Sequence, residues 1–306
     1  MKSKIDYLNI IEKNVRDEAQ HFVKSAIIVS RTYVGTDTEF IVNTVKDFFT
    51  GDEIYMADSD TMFFGLIKSI DSVTKKIVIG NKNLTTIETG TQIKKNDAIQ
   101  YLENALYTYS KFRPLIENEE YTGTGSQYLA LPANWQTGFS SIMSVRYPYS
   151  VYFSSYLDPL LYRPLINESG ELSIYFNYGL SGALVITYSR KHFFDEDYLS
   201  SAPDSDIYCI CDIASAYYLL GLASRYAQST NPTISADTVD YQQKPNQYII
   251  LYNVYLNKAA QWLGIDVNEL KKGVSVLGGF AFDQQLPPSL YDDDSLILSN
   301  QYFKYY

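Results

Sequence analysis

The chain has 306 residues, enough for one large core carrying an insertion, or for two domains. Hydrophobic residues make up 46% and charged residues 20%, the range of a folded protein and far from the profile of disorder. The formal net charge is −10 with no run of Lys or Arg, which disfavours a surface built to neutralise a phosphate backbone. Tyrosine occurs 29 times against 25 for Lys and Arg combined. Its apolar ring and polar tip suit contact surfaces as well as cores, so the excess leans towards assembly, with compositional bias of the source genome as the competing explanation. Cys209 and Cys211, two apart in an expected helix, point in different directions and cannot form an unstrained bridge. The N-terminus lacks an apolar h-region, and no stretch approaches the roughly 20 apolar residues of a membrane span, so a protein made in the cytosol without membrane contact is expected.

In chain order, residues 3–15 place Ile5, Leu8, Ile11 and Val15 at helical spacing, and an apolar run continues over 22–29, leaving the end of this first helix open. From 31 to 95 the pattern changes to short runs (EFIVNTV, DEIYMAD, MFFGLIKSI, KIVIG, TQIKK) separated by turn signals, and about five such strands make a small barrel. The line GDEIYMADSDTMFFGLIKSIDSVTKKIVIG resembles the SH3-like barrels inserted in some phage particle proteins. It has no basic face with interleaved aromatics for stacking on bases, so it reads as a contact module.

The stretch 96–115, NDAIQYLENALYTYSKFRPL, organises the rest. Ala98, Leu102, Ala105, Tyr109 and Phe112 recur at intervals of four and three, with Ile99 and Leu106 widening the stripe. Asn96 is the expected N-cap, and Pro114 ends the helix by removing an N–H and forcing Arg113 towards an extended backbone. A Gly-punctuated acidic linker (ENEEYTGTGS) follows. Segments 127–131, 142–147, 160–166, 172–177 and 183–190 then read as strands of one antiparallel sheet. A second helix, apolar nearly all round, is expected from Asp206, capped by Ser205, to Ala227. A third is expected from near Pro245, with Tyr248, Tyr252, Tyr255, Ala259 and Trp262 on one face and Gly264 as its stop. Beyond 266 the Gly278, Gly279, Pro287, Pro288 and Asp292, Asp293, Asp294 positions break regular structure, so an extended arm is expected. Its apolar end, with Leu296, Ile297, Leu298, Tyr302, Phe303 and Tyr305, reads as a docking segment.

Taken in order, the segments 109–114 (YSKFRP), 129–135 (LALPANW) and 138–148 (GFSSIMSVRYP) resemble the neck, or head-tail connector, proteins of tailed bacteriophages. The segment SADTVDYQQKPNQYIILYNVYLNKAAQWLGI is similar to the last helix of those proteins. Together these segments make up about a fifth of the chain, without the barrel or the tail. The resemblance implies a structural virion protein in the neck, assembled in the host cytoplasm. It would form a homo-oligomeric ring, a dodecamer in most relatives, between the portal protein and the next neck or tail protein. DNA would pass through the channel without specific binding, and no catalysis or cofactor is implied.

General-base chemistry has only His21 and His192 to draw on, neither in a recognisable motif, and no Gly-rich phosphate loop, G-x-S-x-G elbow or H-E-x-x-H occurs. The acidic clusters Asp58 with Asp60, Asp195 to Asp197, and Asp292 to Asp294 lack the ligand order of an EF-hand and read as solvated loops. The expected class is therefore α+β. A helical bundle core with an antiparallel sheet (1–30 and 96–265) carries an inserted SH3-like barrel (31–95) and a C-terminal arm (266–306). The exit of the organising helix (Leu102, Leu106, Tyr109, Phe112, Arg113, Pro114) is its pivot. A monomeric two-module protein whose barrel recognises a peptide or polysaccharide is the alternative, and a hydrolase with a carboxylate pair is a distant third.

Overall fold

The computed structural model describes residues 1–15, 23–34, 37–57, 62–80, 88–150, 154–167, 170–229 and 243–271. It is mixed α and β, and its β content begins with a closed barrel. Strands β1 (Val23–Val34), β2 (Asp37–Val42), β3 (Glu53–Ala57), β4 (Met62–Asp71), β5 (Lys76–Ile79) and β6 (Gln92–Asn96) close in the order β1-β2-β5-β4-β3-β6. Ala26, Ile28, Phe40, Val42, Ile54, Met56, Ile67, Ile77, Ile79 and Ile93 fill the interior. Closure leaves no open edge in this sheet. The closing pair sets Val23 opposite Asn96, so the chain enters and leaves the barrel at adjacent points.

The barrel has six strands where five were expected, and the boundary expected at 30/31 falls inside β1. The reason is local. Ala26 and Ile28 point inward, while Ile27 and Val29 are apolar yet exposed, so the alternation that marks a strand is hidden.

Four helices of three turns or more are described: α1 (Lys4–Val15), α2 (Ala98–Phe112), α3 (Ile207–Ser229) and α4 (Gln243–Leu263). The apolar circumference of α3 is covered by α1, α2 and α4. The shared core includes Tyr7, Leu8, Ile11, Leu102, Leu106, Ile210, Ile213, Tyr218, Leu222, Leu256 and Ala259. By length and composition the window 204–227 could cross a membrane, contrary to the expectation that no stretch comes close, but 72% of it is buried inside the protein. α2 and α3 approach closely at Gly221, where a Cβ would collide with the Tyr101 hydroxyl.

The helix ends follow from their caps. The N-cap position of α2 is Asp97, which makes no side-chain cap bond, and Asn96, expected there, stands one residue earlier, where its Oδ1 accepts from the Ala98 amide at 2.8 Å. Before Pro114, Arg113 is extended (φ −133°, ψ 77°), as the proline demands. Gly264, with φ +73°, turns the chain out of α4. Ser205, in contrast, does not cap α3. It lies with Asp206 in a short 3-10 turn before the helix, and its hydroxyl donates to Asp206 Oδ1.

After α2 come β7 (Leu115–Thr124), β8 (Tyr128–Ala130), β9 (Ile142–Tyr149), β10 (Ser154–Tyr156), β11 (Tyr162–Ile166), β12 (Leu172–Phe176) and β13 (Ser181–Arg190). They form two sheets rather than one, β10-β9-β13-β7 and β11-β12-β8, around Val145, Ile174, Phe176, Leu184 and Ile186. The expected acidic linker is in fact β7, paired with β13 along ten residues. Its alternate residues Glu117, Glu119 and Tyr121 lie on the half-buried side. Glu117 meets Arg190 at 2.9 Å and the Tyr188 hydroxyl at 2.8 Å, which turns an apparently solvated run into a strand.

The barrel is seated on the helices. Lys4 of α1, almost fully buried, bonds Glu53 of β3 at 2.8 Å and Glu103 of α2 at 3.2 Å, and lies over the Phe64 ring. Tyr55 and Phe64 leave the barrel face to join the helical core, and the Tyr198 hydroxyl donates to the Phe64 carbonyl at 3.2 Å. Tyr7, Tyr55, Tyr109, Tyr162, Tyr188, Tyr217 and Tyr218 are all buried. The tyrosine count is thus absorbed in good part by the cores and by itself argues little for a contact surface.

Candidate functional site

The exit of α2 is a polar junction where four parts of the chain meet. Leu102, Leu106 and Tyr109 are buried, Phe112 packs at the edge of the same core, and Arg113 extends across to the start of α3. Asp206 gathers four donors. The Tyr109 hydroxyl and Arg113 Nη1 (2.9 Å) reach Oδ2, while Ser205 Oγ (2.8 Å) and Trp262 Nε1 (3.3 Å) reach Oδ1. Burial alone would raise the Asp206 pKa, but those hydrogen bonds outweigh it and hold the carboxylate below its usual range. Arg113 Nη2 also donates to the Trp262 carbonyl, so α2, the 3-10 turn and the end of α4 are tied at one carboxylate.

His192 closes the other side of this junction. Its Nε2 lies 3.0 Å from the Arg113 carbonyl and must donate to it, which leaves Nδ1 to accept from Ser201 Oγ at 3.1 Å. Its backbone amide donates to Ser110 Oγ. Burial lowers its pKa, opposed in part by the hydrogen bond to Arg113, so the neutral ring is the resident form. Both ring nitrogens are occupied by structural partners. The arrangement orients backbone and offers no free base.

A second construction holds the loop after β8. Ala133 N donates to Glu119 Oε2 at 3.0 Å, Asn134 Nδ2 to Glu117, and Lys191 N to Gln136 Oε1. Burial works to raise the Glu117 pKa, but the bonds from Tyr188, Arg190 and Asn134 outweigh it. These two carboxylates act as clamps for the PANWQTGFS turn.

The third feature is a surface. On α4, the inward residues Tyr248, Tyr252, Tyr255, Leu256, Ala259 and Ala260 pack on the core, while Ile249, Ile250, Leu251 and Val254 face out. Ile250 is 63% exposed, and Trp262, one turn beyond Lys258 on the same stripe, is 50% exposed. The stripe ends at a shallow groove of about 320 Å³ between α3 and α4, lined by Tyr208, Cys209, Asp212, Lys258, Gln261 and Trp262. Burial raises the Asp212 pKa to about 6, against the pull of Lys258 and the Asn14 amide.

The structure therefore brings Tyr109 and Arg113 together with Asp206, His192 and Trp262. The docking residues Leu296, Ile297, Leu298, Tyr302, Phe303 and Tyr305, together with His21, Asp58, Asp60 and Asp292 to Asp294, lie outside the described residues. Asp195 is a turn residue whose Oδ1 accepts from the Asp197 and Leu199 amides. Among the described residues no three His, Cys, Asp or Glu side chains are grouped to hold a metal ion. Sequence reasoning missed Asp206 as the hub and the outer face of α4. Three consecutive apolar residues, Ile249, Ile250 and Leu251, with Val254 after Tyr252 and Asn253, were the available signal for the second. A scan against protein-family models and a search of the curated proteins both find no match.

Proposed function

We propose that the protein is a structural subunit of a tailed-phage neck, a connector that assembles as a closed ring, a dodecamer, between the portal and the next neck or tail protein. In this reading the four helices act as a bundle core. The barrel is an SH3-like insertion spanning 23–96 in place of 31–95. The arm, expected from 266, starts only after the helical stretch 267–271, whose Leu270 is buried in the core, and its apolar end docks on a neighbour. No catalytic residue or cofactor enters it. Among the described residues, both ring nitrogens of His192 and the carboxylates of Glu117, Glu119 and Asp206 have structural partners.

The observation that carries the reading is the apolar outer face of α4. A contiguous exposed apolar stripe of this kind marks a contact surface, and it lies on the segment that resembles the last helix of connector proteins. A ring needs a heterologous contact that closes by rotation, and the acidic character of the chain, net −10, would let DNA pass without sticking. The test is the mass of the purified protein, alone and mixed with portal protein from the same source. We expect a multiple of 34.9 kDa consistent with a closed ring, formed alone or on the portal. A strict monomer under both conditions would overturn the reading and favour the two-module alternative.

A further inference from the structure

The outer face of α4 has no partner among the described residues, and the sequence holds a segment with matching chemistry. From 241 to 265 the chain contains Lys244 and Lys258 and no Asp or Glu, an acid-free stretch in a protein of net charge −10. The segment 289–306, SLYDDDSLILSNQYFKYY, pairs three consecutive carboxylates with Leu296, Ile297, Leu298, Tyr302 and Phe303. In sequence, the α4 segment joins apolar residues to lysines, and the terminal segment joins apolar residues to carboxylates. They are also two different parts of one chain, which is what a heterologous, ring-closing interface requires of every subunit.

Reach is sufficient. The described chain ends at Lys271, a helical turn beyond Gly264 at the foot of α4, and Leu270 is anchored in the core. Residues 272–288, extended, span up to about 55 Å, against about 30 Å for the 21 residues of α4. The spacer is therefore longer than α4 itself, so the terminal segment is not confined by length to its own subunit.

Resting on the ring reading, we propose that the acceptor for segment 289–306 is the α4 outer face of the adjacent copy. Leu296, Ile297 and Leu298 cover Ile250, Leu251 and Val254, the carboxylates at 292–294 are drawn to the lysine side, and the aromatic end reaches the groove beside Trp262 and Tyr208. Such a contact is a donated segment laid along an exposed helix, with side-chain burial providing affinity and charge providing direction.

The test uses the full chain with benzoylphenylalanine at position 254, an exposed site where the added bulk meets solvent in the isolated subunit. Unlabelled and ¹⁵N-labelled copies are mixed, assembled and illuminated, and the cross-linked peptides are mapped by mass. The proposal expects cross-links from 254 into 289–306 that join labelled to unlabelled copies. It also expects Val254→Asp and Leu298→Asp each to weaken self-association at least tenfold while leaving the melting temperature of the isolated subunit unchanged. Cross-links confined to one copy would overturn it and make the arm a cover for its own subunit. Assembled rings whose cross-links fall elsewhere overturn it while the ring reading stands. Failure of any copies to associate, with or without portal protein, removes the ring reading and this inference with it.

Discussion

The barrel and the helical core solve the problem of burial in opposite ways. The barrel closes within residues 23–96, its first and last strands paired and its interior filled by its own side chains. The helical core is assembled from segments far apart. Cys211 Sγ lies against the Tyr7 carbonyl, Tyr255 bonds the Asn14 carbonyl, and Arg113 reaches Asp206. One unit is locally complete and the other exists only when the whole chain has come back on itself. Their contact includes Tyr55 and Phe64, the Lys4 ammonium on Glu53, the Tyr198 hydroxyl on Phe64 and the Asn96 amide on Glu12. The difference implies that damage to either should stay there.

The strongest way to break that separation is to remove the hub. Asp206→Ala leaves Tyr109, Arg113 and Trp262 without their shared acceptor, and with Arg113 partly open to solvent the loss should cost about 2 kcal/mol. Hydrogen exchange resolved by peptide should show α2, α3 and α4 opening more readily while β1 to β6 keep their protection. A uniform loss of protection across both regions would show that the barrel has no stability of its own.

An effect no larger is expected from excising the barrel. Because Val23 faces Asn96, replacing 24–95 by Gly-Gly spans the gap and keeps the bond from the Ala98 amide to Asn96. The remaining chain should fold with its helices intact, as read by circular dichroism and a cooperative melt. Losing the cover of Tyr55 and Phe64 and one partner of Lys4 should cost about 2 kcal/mol. A product without a cooperative transition would mean that the helical core needs the barrel as a template.

The same contrast explains what could be read from the sequence. Strands β2 to β6 were legible because each announces itself by local alternation and a turn. β1 was not, since Ile27 and Val29 put apolar groups on its outer side. β7 was hidden for the opposite reason. Its glutamates read as solvent-facing until Arg190 and Tyr188, some seventy residues later, lie beside Glu117. The helices were visible from spacing, as was the role of Pro114 at the exit of α2. No local pattern, however, announces that Asp206 will collect Tyr109, Arg113 and Trp262, because the link exists only in three dimensions. Of the site, the sequence disclosed the residues on α2 and left their acceptor unseen.

The smallest effect concerns acid, and it sets two groups of the helical half against each other. His192 faces the Arg113 carbonyl, Ser201 and Asp206, and its folded pKa lies below the unfolded value of about 6.5. As pH falls below 6.5 the unfolded chain takes up a proton first, so this group costs stability on acidification. Asp212, facing Asn14 and Lys258, has a folded pKa of about 6 against 3.8 unfolded. Between those values the folded protein holds the extra proton, so this group adds stability as pH falls. The two trends have opposite signs, so the wild-type change in melting temperature between pH 7 and 5 should lie between those of variants that remove one group or the other. Asp212→Asn should make the protein more acid-sensitive over that interval, and His192→Gln less so, with the change between the two pH values as the readout rather than absolute stability. The barrel carries neither group, so its exchange protection should be the same at both pH values in all three proteins. If the two substitutions shifted the pH response in the same direction, the assignment of opposite signs to these buried groups would be wrong.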